Sequence, residues 1–438
     1  MGKENEGTMD SYKVSVIMPS LNVREYIEEC LSSVCRQTLH NIEILCIDAG
    51  STDGTVQAIR EYAAMDSRIK LIHSDKKSYG FQVNIGIQQA KGKYIAILET
   101  DDYIDEQMYE TLFDLAEKTE CDYVKGNYRR YYTTSGGKRV FEASDTLRCD
   151  HSNYEKVLYL SEHKELIQYD TNVWTGIYRR DFLVNHNIKC NESAGAAFQD
   201  IGFLQQVFWL AETAYYTQKP FYNYCIDREM SSTNHGNGMR FAFQEYRHLL
   251  SDDRISNIKL DRINIVYERM SDVFEENLKK ILLQDKEDEN ADIISWFIEI
   301  LTQKQQEGII RRDYLEQAVC HRSDWVKQRK QALQDKQIYR EQTLNFLKDA
   351  DVIIFGSGIR GKNAFRELVL AHIPVCAFCD NNTDLWGEVI GDIKIYSLED
   401  GLKFFPGAKF VIANKFSYHD IEKQLLHEGV SADHIIVW

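Results

Sequence analysis

An acidic cluster closes an apolar run in the first quarter of the chain. The run YIAIL is followed at once by Glu99, Thr100, Asp101 and Asp102, which places three carboxylates within four positions. Carboxylates this close repel one another unless a cation lies among them, and hard divalent cations such as Mg²⁺ and Mn²⁺ take carboxylate oxygens and bridge to phosphates. The alternative is an acidic start to the next helix, because Asp and Glu complement the helix dipole there.

A second acid, Asp200, lies in the stretch GAAFQDIGF, just before a predicted helix. When a hydroxyl attacks an electrophile, one base must be placed to take its proton. A carboxylate serves, and apolar neighbours such as Phe198 and Phe203 would raise its pKa towards the range that a base needs. Asp200 can also cap the helix, and the two roles are compatible.

Predicted strands and helices must position these acids. Short apolar runs, which predict strands, alternate with segments in which apolar residues have helical spacing. Strands are expected at Lys13 to Met18, Glu43 to Ile47, Lys70 to His73 and Tyr94 to Leu98. Helices are expected at Arg24 to Gln37, Val56 to Met65 and Phe81 to Lys91, the last closed by Gly92 as a left-handed cap. This rhythm predicts an α/β fold with a mostly parallel sheet and helices on both faces. Ligands bind at the carboxyl ends of such strands, where the polar segments 19–22, 48–53 and 99–102 would converge.

Three long segments carry a family resemblance. The segments VSVIMPSLNVREYIEECLSSVCRQTL, NIEILCIDAGSTDGT and YGFQVNIGIQQAKGKYIAILETDDYID come in this order, and with their spacing they closely resemble family 2 glycosyltransferases, which have the GT-A fold. The resemblance covers residues 12–235. It implies an inverting transfer of a sugar, glucose or galactose, from a UDP-sugar to a hydroxyl of a glycan acceptor in surface polysaccharide or glycoprotein biosynthesis. It also implies Mn²⁺ or Mg²⁺ as the cofactor.

The resemblance assigns expected roles to individual residues. The loop after the first strand would lie beside the nucleotide, the aspartate that ends the second strand would hold the base or ribose, and the ETDD motif would hold the metal. In the family the first acid of this motif is Asp, whereas here it is Glu99. The expected metal ligands are therefore the last two acids of the motif. The donor-binding residues are then Pro19, Ser20, Asn22, Asp48, Asp53 and Asp101, and the metal ligands are Asp101 and Asp102.

The acceptor side of the resemblance centres on Asp200, which matches the general base of the family. Further candidate site residues are Glu99, Trp174, Gln199, Arg228 and His235. Trp174 could stack on a sugar ring, but a buried packing role is the alternative. A second departure from the family pattern is Val83, where many members carry an arginine, so any diphosphate contact from that position is lost.

Two further regions follow the first domain, which is expected to span 12–240. The region 241–348 is nearly all helical, with apolar stripes that must bury against something, and self-association is one way to do so. The region 349–438 begins with a strand, the turn GSGIRG and a helix, and Asp380 follows the next strand, which is the pattern of a small Rossmann-like domain. Nucleotide binding, a docking or oligomerisation role and a redox activity stay open for it.

Composition limits the other functions. The net charge of −16 argues against general nucleic-acid binding, which needs Lys and Arg to neutralise phosphates. No apolar run is long enough for a membrane span, and scattered cysteines favour a reducing compartment, so we expect a cytoplasmic protein, with peripheral association at the inner membrane face as an alternative. The absence of a P-loop argues against a kinase. A non-catalytic scaffold remains an alternative, although it would not require Asp48, Asp101, Asp102 and Asp200 together.

Overall fold

The structure is a computed structural model that describes residues 12–134, 137–147, 151–163, 170–227, 237–258 and 260–438. The chain divides into two compact units. The first comprises Met1–Arg130 and Ala143–Gln328, and the second comprises Tyr131–Glu142 and Arg329–Trp438. Among the described residues, no helix combines the length and the apolar content that a membrane crossing requires.

Four parallel strands form the first half of the large sheet. They are β1 (Val14–Ser20), β2 (Ile42–Asp48), β3 (Ile69–His73) and β4 (Tyr94–Ile97), in the spatial order β3-β2-β1-β4. Every residue of β1 and β2 is buried, as expected for central strands covered on both faces. The covering helices of this half are α1 (Ile27–Cys35), α2 (Thr55–Met65) and α3 (Tyr79–Gln89). The register pairs Ser20 with Asp48, so two predicted site residues end neighbouring strands.

The same sheet continues with mixed strands. The order beyond β4 is β9-β6-β10-β5, and β9 runs antiparallel to β4. The strands are β5 (Tyr103–Ile104), β6 (Tyr123–Thr133), β7 (Arg139–Ser144), β8 (Val157–Tyr159), β9 (Gly176–Arg179) and β10 (Thr213–Cys225). The helices are α4 (Met108–Thr119), α5 (Arg180–Asn185) and α6 (Gln199–Leu210). These strands therefore complete one sheet with the parallel half.

The helical region is tied to the first unit up to Gln328. It comprises α7 (Gly238–Leu250), α8 (Leu260–Leu283), α9 (Ala291–Gln306), α10 (Tyr314–Cys320) and α11 (Arg322–Leu347). The buried guanidinium of Arg262 donates to the carbonyls of Phe208, Trp209 and Ala211, where α6 ends. Because a buried charge needs such partners, α8 is fixed to the sheet domain. The sequence boundary at residue 240 therefore does not separate two compact units.

The second unit carries a six-stranded sheet with the order β13-β14-β12-β11-β15-β16, which is parallel except for β13. Its strands are β11 (Val352–Phe355), β12 (Val375–Cys379), β13 (Val389–Ile390), β14 (Ile393–Tyr396), β15 (Lys409–Ile412) and β16 (Ile435–Val437). Its helices are α12 (Ile359–Leu370), α13 (Leu398–Phe404) and α14 (Tyr418–His427). The predicted small α/β domain is confirmed. The unit also takes in residues 131–142, where Glu142 pairs with Arg366 at 2.6 Å.

Candidate active site

The loop after β2 is closed by the aspartate that ends the strand. Asp48 is buried, and its Oδ2 accepts hydrogen bonds from the backbone N–H groups of Gly50 at 2.8 Å and Ser51 at 2.9 Å. Gly50 has a φ of +85°, a conformation that glycine adopts without the strain of a side chain. Asn22 joins the loop after β1 to this one, because its N–H donates to Ser51 Oγ and its Oδ1 accepts from Thr52 N–H.

Asp53 connects the same two loops from the other side. Its Oδ2 accepts from the N–H of Arg24 at 2.9 Å, and its Oδ1 accepts from the N–H and the hydroxyl of Thr55 at 3.0 and 2.7 Å. Burial would raise the pKa of Asp53, but these hydrogen bonds outweigh it and the pKa is lowered. Asp53 therefore holds the loops as a carboxylate.

Gln82, which the sequence did not single out, fixes the carboxyl ends of β1 and β2. Its buried Nε2 donates to the carbonyl of Ser20 at 2.9 Å and to that of Ile47 at 2.6 Å. The hydroxyl of Thr100 donates to the carbonyl of Pro19 at 2.9 Å, which ties the acidic motif to the same strand end. The structure thus brings the expected nucleotide loops and the acidic motif together at one edge of the sheet.

The two expected metal ligands have different surroundings. Asp102 is buried, its Oδ2 accepts from the Tyr222 hydroxyl at 2.9 Å and its Oδ1 accepts from the N–H of Cys225 at 3.0 Å. Burial raises the pKa of Asp102 well above its usual range, and the charge of Glu99 adds to the effect. Asp101, by contrast, is half-buried in the turn. Asp102 therefore faces β10, and Asp101 offers the more accessible carboxylate.

The donor set of the motif suits a hard cation. No group of three His, Cys, Asp or Glu side chains is arranged around one point among the described residues. Mg²⁺ and Mn²⁺ do not require such a cage, since they are held by one or two carboxylates with phosphate oxygens of the substrate. Glu99, whose Oε1 accepts from the Tyr79 hydroxyl at 2.6 Å, and Asp101 can supply those carboxylates.

Asp200 lies in the first turn of α6, beside a strained residue. Phe198, which precedes the helix, has a φ of +70°, a costly conformation for a side chain of this size. Burial raises the pKa of Asp200, while a backbone hydrogen bond and the charge of Arg269 oppose this rise in part. Burial raises the pKa of the Tyr79 hydroxyl well above its usual range, and the charges of Glu99 and Asp200 add to this rise.

The side chains of Gln199 and Trp174 are held in packing roles. The Nε2 of Gln199 donates to Ser193 Oγ at 3.0 Å and holds the loop before α6. The ring of Trp174 is only 8% exposed and stacks on Tyr222, with 4.1 Å between the ring centroids, and on Tyr224 at 5.4 Å. The Trp174 ring therefore packs on tyrosines of β10, as in the alternative to stacking on a sugar ring. Two other candidates, Arg228 and His235, lie outside the described residues.

The helical region contributes a buried acid that sequence patterns did not indicate. Glu245 of α7 is 2% exposed, and its Oε2 accepts from Asn191 Nδ2 at 3.0 Å. Its Oε1 lies against Gly202, where an added Cβ would be 1.7 Å away, so a larger residue at position 202 would displace the Glu245 carboxylate. Burial, with a smaller contribution from the charge of Asp200, raises the pKa of Glu245 to about 8.

The glycine-rich turn of the second unit closes on its own aspartate. The N–H and the hydroxyl of Ser357 donate to Asp380 Oδ2 at 2.8 and 2.6 Å. In a dinucleotide site the acid at this position accepts from a ribose hydroxyl. Here one oxygen of Asp380 is already engaged by the turn, so nucleotide binding, docking and redox roles stay open for this unit.

Comparisons with known proteins agree with this architecture. The family model described as Glycosyl transferase family 2 matches residues 15–181, and the model C2185-like, N-terminal matches residues 348–436. The uncharacterized glycosyltransferase YibD of Escherichia coli K12 is 30% identical over 259 residues, which are 58% of this chain and 72% of YibD. For three further relatives the chain spans 41%, 60% and 62% of their length.

Two more matches are a named glucosyltransferase and a solved structure. An Escherichia coli protein named UDP-Glc:alpha-D-GlcNAc-diphosphoundecaprenol beta-1,3-glucosyltransferase WfgD is 36% identical over 121 residues, which are 27% of this chain and 47% of that protein. The crystal structure of S. aureus TarS superposes with a TM-score of 0.53 at 18% identity, covering 73% of this chain and 55% of TarS. At that identity the likeness concerns the fold alone.

Proposed function

This chain belongs to glycosyltransferase family 2, and we propose that it is an inverting enzyme that transfers glucose or galactose from a UDP-sugar to a glycan hydroxyl. The observation that carries the proposal is the position of Tyr79, which contacts Glu99 of the acidic motif and the loop that leads to Asp200. One residue thus couples the donor side to the acceptor side. The name of WfgD supports a UDP-linked hexose as donor.

On the donor side, we assign the nucleotide to the loops that Asp48, Asp53 and Asn22 hold. Asp101 would be the main carboxylate ligand of Mn²⁺ or Mg²⁺, with Glu99 beside it, and Asp102 would support the turn from its buried position. The bound cation would supply positive charge to a diphosphate leaving group. Pro19 and Ser20 contribute through the backbone at the end of β1.

On the acceptor side, Asp200 would take the proton of the attacking hydroxyl. The oxygen of that hydroxyl would bond to the anomeric carbon as the bond from this carbon to UDP breaks. A carboxylate whose pKa is raised by burial is a stronger base than an exposed one, which suits this task. We assign the acceptor to surface polysaccharide or glycoprotein synthesis. We also propose a cytoplasmic location, since the described cysteines are free thiols and most are buried.

Release of UDP from a panel of UDP-sugars, with and without Mn²⁺, tests the proposal. We expect metal-dependent release from UDP-glucose or UDP-galactose, lost in Asp101→Asn. The matched control is Asp181→Asn, which changes an exposed acid in the first turn of α5. If no UDP-sugar is bound or cleaved under any metal, the catalytic proposal is refuted and the scaffold alternative takes its place.

A further inference from the structure

An open groove of about 560 Å³ lies between α7 and the loop before α6. We call it the α7 groove. The loop side includes Asn191 and Ser193, and the helix side includes Phe241, Phe243, Arg247 and His248. Its volume is in the range of ligand-binding clefts.

The groove begins at the loop that leads to Asp200. Ser193, on its wall, accepts a hydrogen bond from Gln199, the residue before Asp200. Gly195 adjoins the ring of Phe241, and its carbonyl accepts from the N–H of Tyr79. The groove is therefore connected to the acceptor side of the site through residues in direct contact.

The length of the groove suits a chain rather than a single sugar. Its helix wall extends from Phe241 to Ser251. At about 1.5 Å of rise per residue this stretch of helix is about 15 Å long. A ligand that entered at the Phe241 end, beside the loop that leads to Asp200, could thus place several groups along α7.

The lining has the chemistry of a site for acidic saccharides. Aromatic rings pack on the apolar faces of sugars, and the amide of Asn191 and the hydroxyl of Ser193 can bond sugar hydroxyls. The guanidinium of Arg247 lies over the ring of Phe243, 5.4 Å from its centroid, which positions a planar donor suited to carboxylate and phosphate. The described lining residues include no carboxylate, although the chain carries a net charge of −16.

We propose that the α7 groove binds the part of the acceptor beyond the reacting sugar, and that it selects oligosaccharides carrying carboxylate or phosphate groups. This inference rests on the proposed transferase function for its biological meaning. The binding itself depends on groove residues alone, so it can be measured separately. It assigns the helical region a role in acceptor selection.

Calorimetric titration of the full chain tests the proposal with three probes: trigalacturonate, phosphorylated maltotriose and neutral maltotriose. We expect one or both acidic probes to bind, with affinity that falls as salt is added, and maltotriose to bind at least tenfold more weakly. Arg247→Ala should weaken binding of the acidic probe about tenfold, the usual effect of losing one charge-assisted hydrogen bond. The matched control is Arg240→Ala, an exposed arginine of α7 outside the groove lining.

The outcomes separate this proposal from the transferase proposal. If neither acidic probe binds, or if Arg247→Ala and Arg240→Ala weaken binding equally, the α7 groove is not an acidic-saccharide site, whatever the donor assay gives. If an acidic probe binds through Arg247 while no UDP-sugar is cleaved, the groove proposal stands and the transferase proposal fails. Which acidic probe binds more tightly distinguishes a carboxylate-bearing from a phosphate-bearing acceptor.

Discussion

The hydroxyl of Tyr79 donates a 2.6 Å hydrogen bond to Oε1 of Glu99. The backbone N–H of Tyr79 donates to the carbonyl of Gly195 at 2.9 Å, and Ser78 forms a bridge with the same glycine. The first turn of α3 thus connects the acidic motif after β4 with the loop before α6. This turn therefore contacts both Glu99 and the loop that leads to Asp200.

Tyr79→Phe should lower kcat for UDP release about tenfold and leave the fold intact. A hydrogen bond to a charged group contributes about 1.5 to 3 kcal/mol, and its loss frees the Glu99 carboxylate to shift. Steady-state kinetics and thermal melting measure the two effects. Tyr62→Phe, which removes the bond from an exposed hydroxyl to the Glu28 carbonyl, is the matched control. An unchanged kcat in Tyr79→Phe would contradict the coupling.

Substitutions of the two aspartates of the acidic motif should have different effects, one on metal-dependent activity and the other on stability. Asp101→Asn should lose Mn²⁺-dependent UDP release with a change in unfolding free energy of about 1 kcal/mol or less, since Asp101 is only half-buried and Asn has the same size. Asp102→Ala leaves the Tyr222 hydroxyl and the Cys225 N–H without their acceptor, which should cost about 1 to 3 kcal/mol of stability for each. Denaturant unfolding measures the stability of each variant, and UDP release at increasing Mn²⁺ concentration measures its metal dependence. Equal stability of the two variants would show that the bonds from β10 to Asp102 contribute little.

Asp200 should control the acidic limb of the pH profile. A general base works only when deprotonated, so transfer should fall as pH decreases through the raised pKa of Asp200, at a higher pH than for an exposed aspartate. Asp200→Asn should reduce kcat for transfer about 10³-fold at every pH. The kcat/KM for transfer, measured from pH 4 to 9, checks this, with Asp181→Asn as control. A wild-type rate independent of pH below 6 would exclude Asp200 as the base.

Sequence patterns located the strands to within a residue or two, because buried parallel strands are continuous apolar runs bounded by polar turns. β2 was expected at Glu43 to Ile47 and spans Ile42–Asp48. The end of α3 was predicted less well. Gly92 was expected as its left-handed cap, but the helix ends at Gln89 and Gly92 does not have a positive φ. It is required because an added Cβ would lie 2.5 Å from the Ser15 nitrogen.

The unpredicted site residues make contacts between segments that are distant in the chain. Tyr222 meets Asp102 across 120 positions, and Gln82 reaches back to strand ends that precede it by 62 and 35 positions. Local spacing holds no signal for such pairs. The acids after β2 and β4 could be predicted because parallel strands bring their carboxyl ends to one edge. The direction in which Asp102 faces depends on β10 and could not.

Glu245→Gln should make the stability of the chain less dependent on pH. Burial raises the pKa of Glu245 from its usual 4.5 to about 8, so the folded chain keeps a proton there that the unfolded chain releases above pH 4.5. The stability that this proton provides is complete below pH 4.5 and declines as pH rises to 8, by up to about 1.4 kcal/mol per pH unit. Gln keeps the acceptor oxygen for Asn191 and has no proton to lose. The variant should therefore become more stable relative to the wild type as pH rises from 4.5 to 8.

Unfolding free energies from pH 5 to 9 measure this gain, and Glu299→Gln, on an exposed position of α9, is the matched control. The groups that act on Glu245 and its surroundings include Asp200 on α6 and Asn191 in the loop before it. The charge of Asp200 contributes to the raised pKa of Glu245, so Asp200→Asn should lower the pKa of Glu245. Parallel stability curves for the wild type and Glu245→Gln would show that Glu245 is charged in the folded chain and that its burial is offset by contacts other than Asn191.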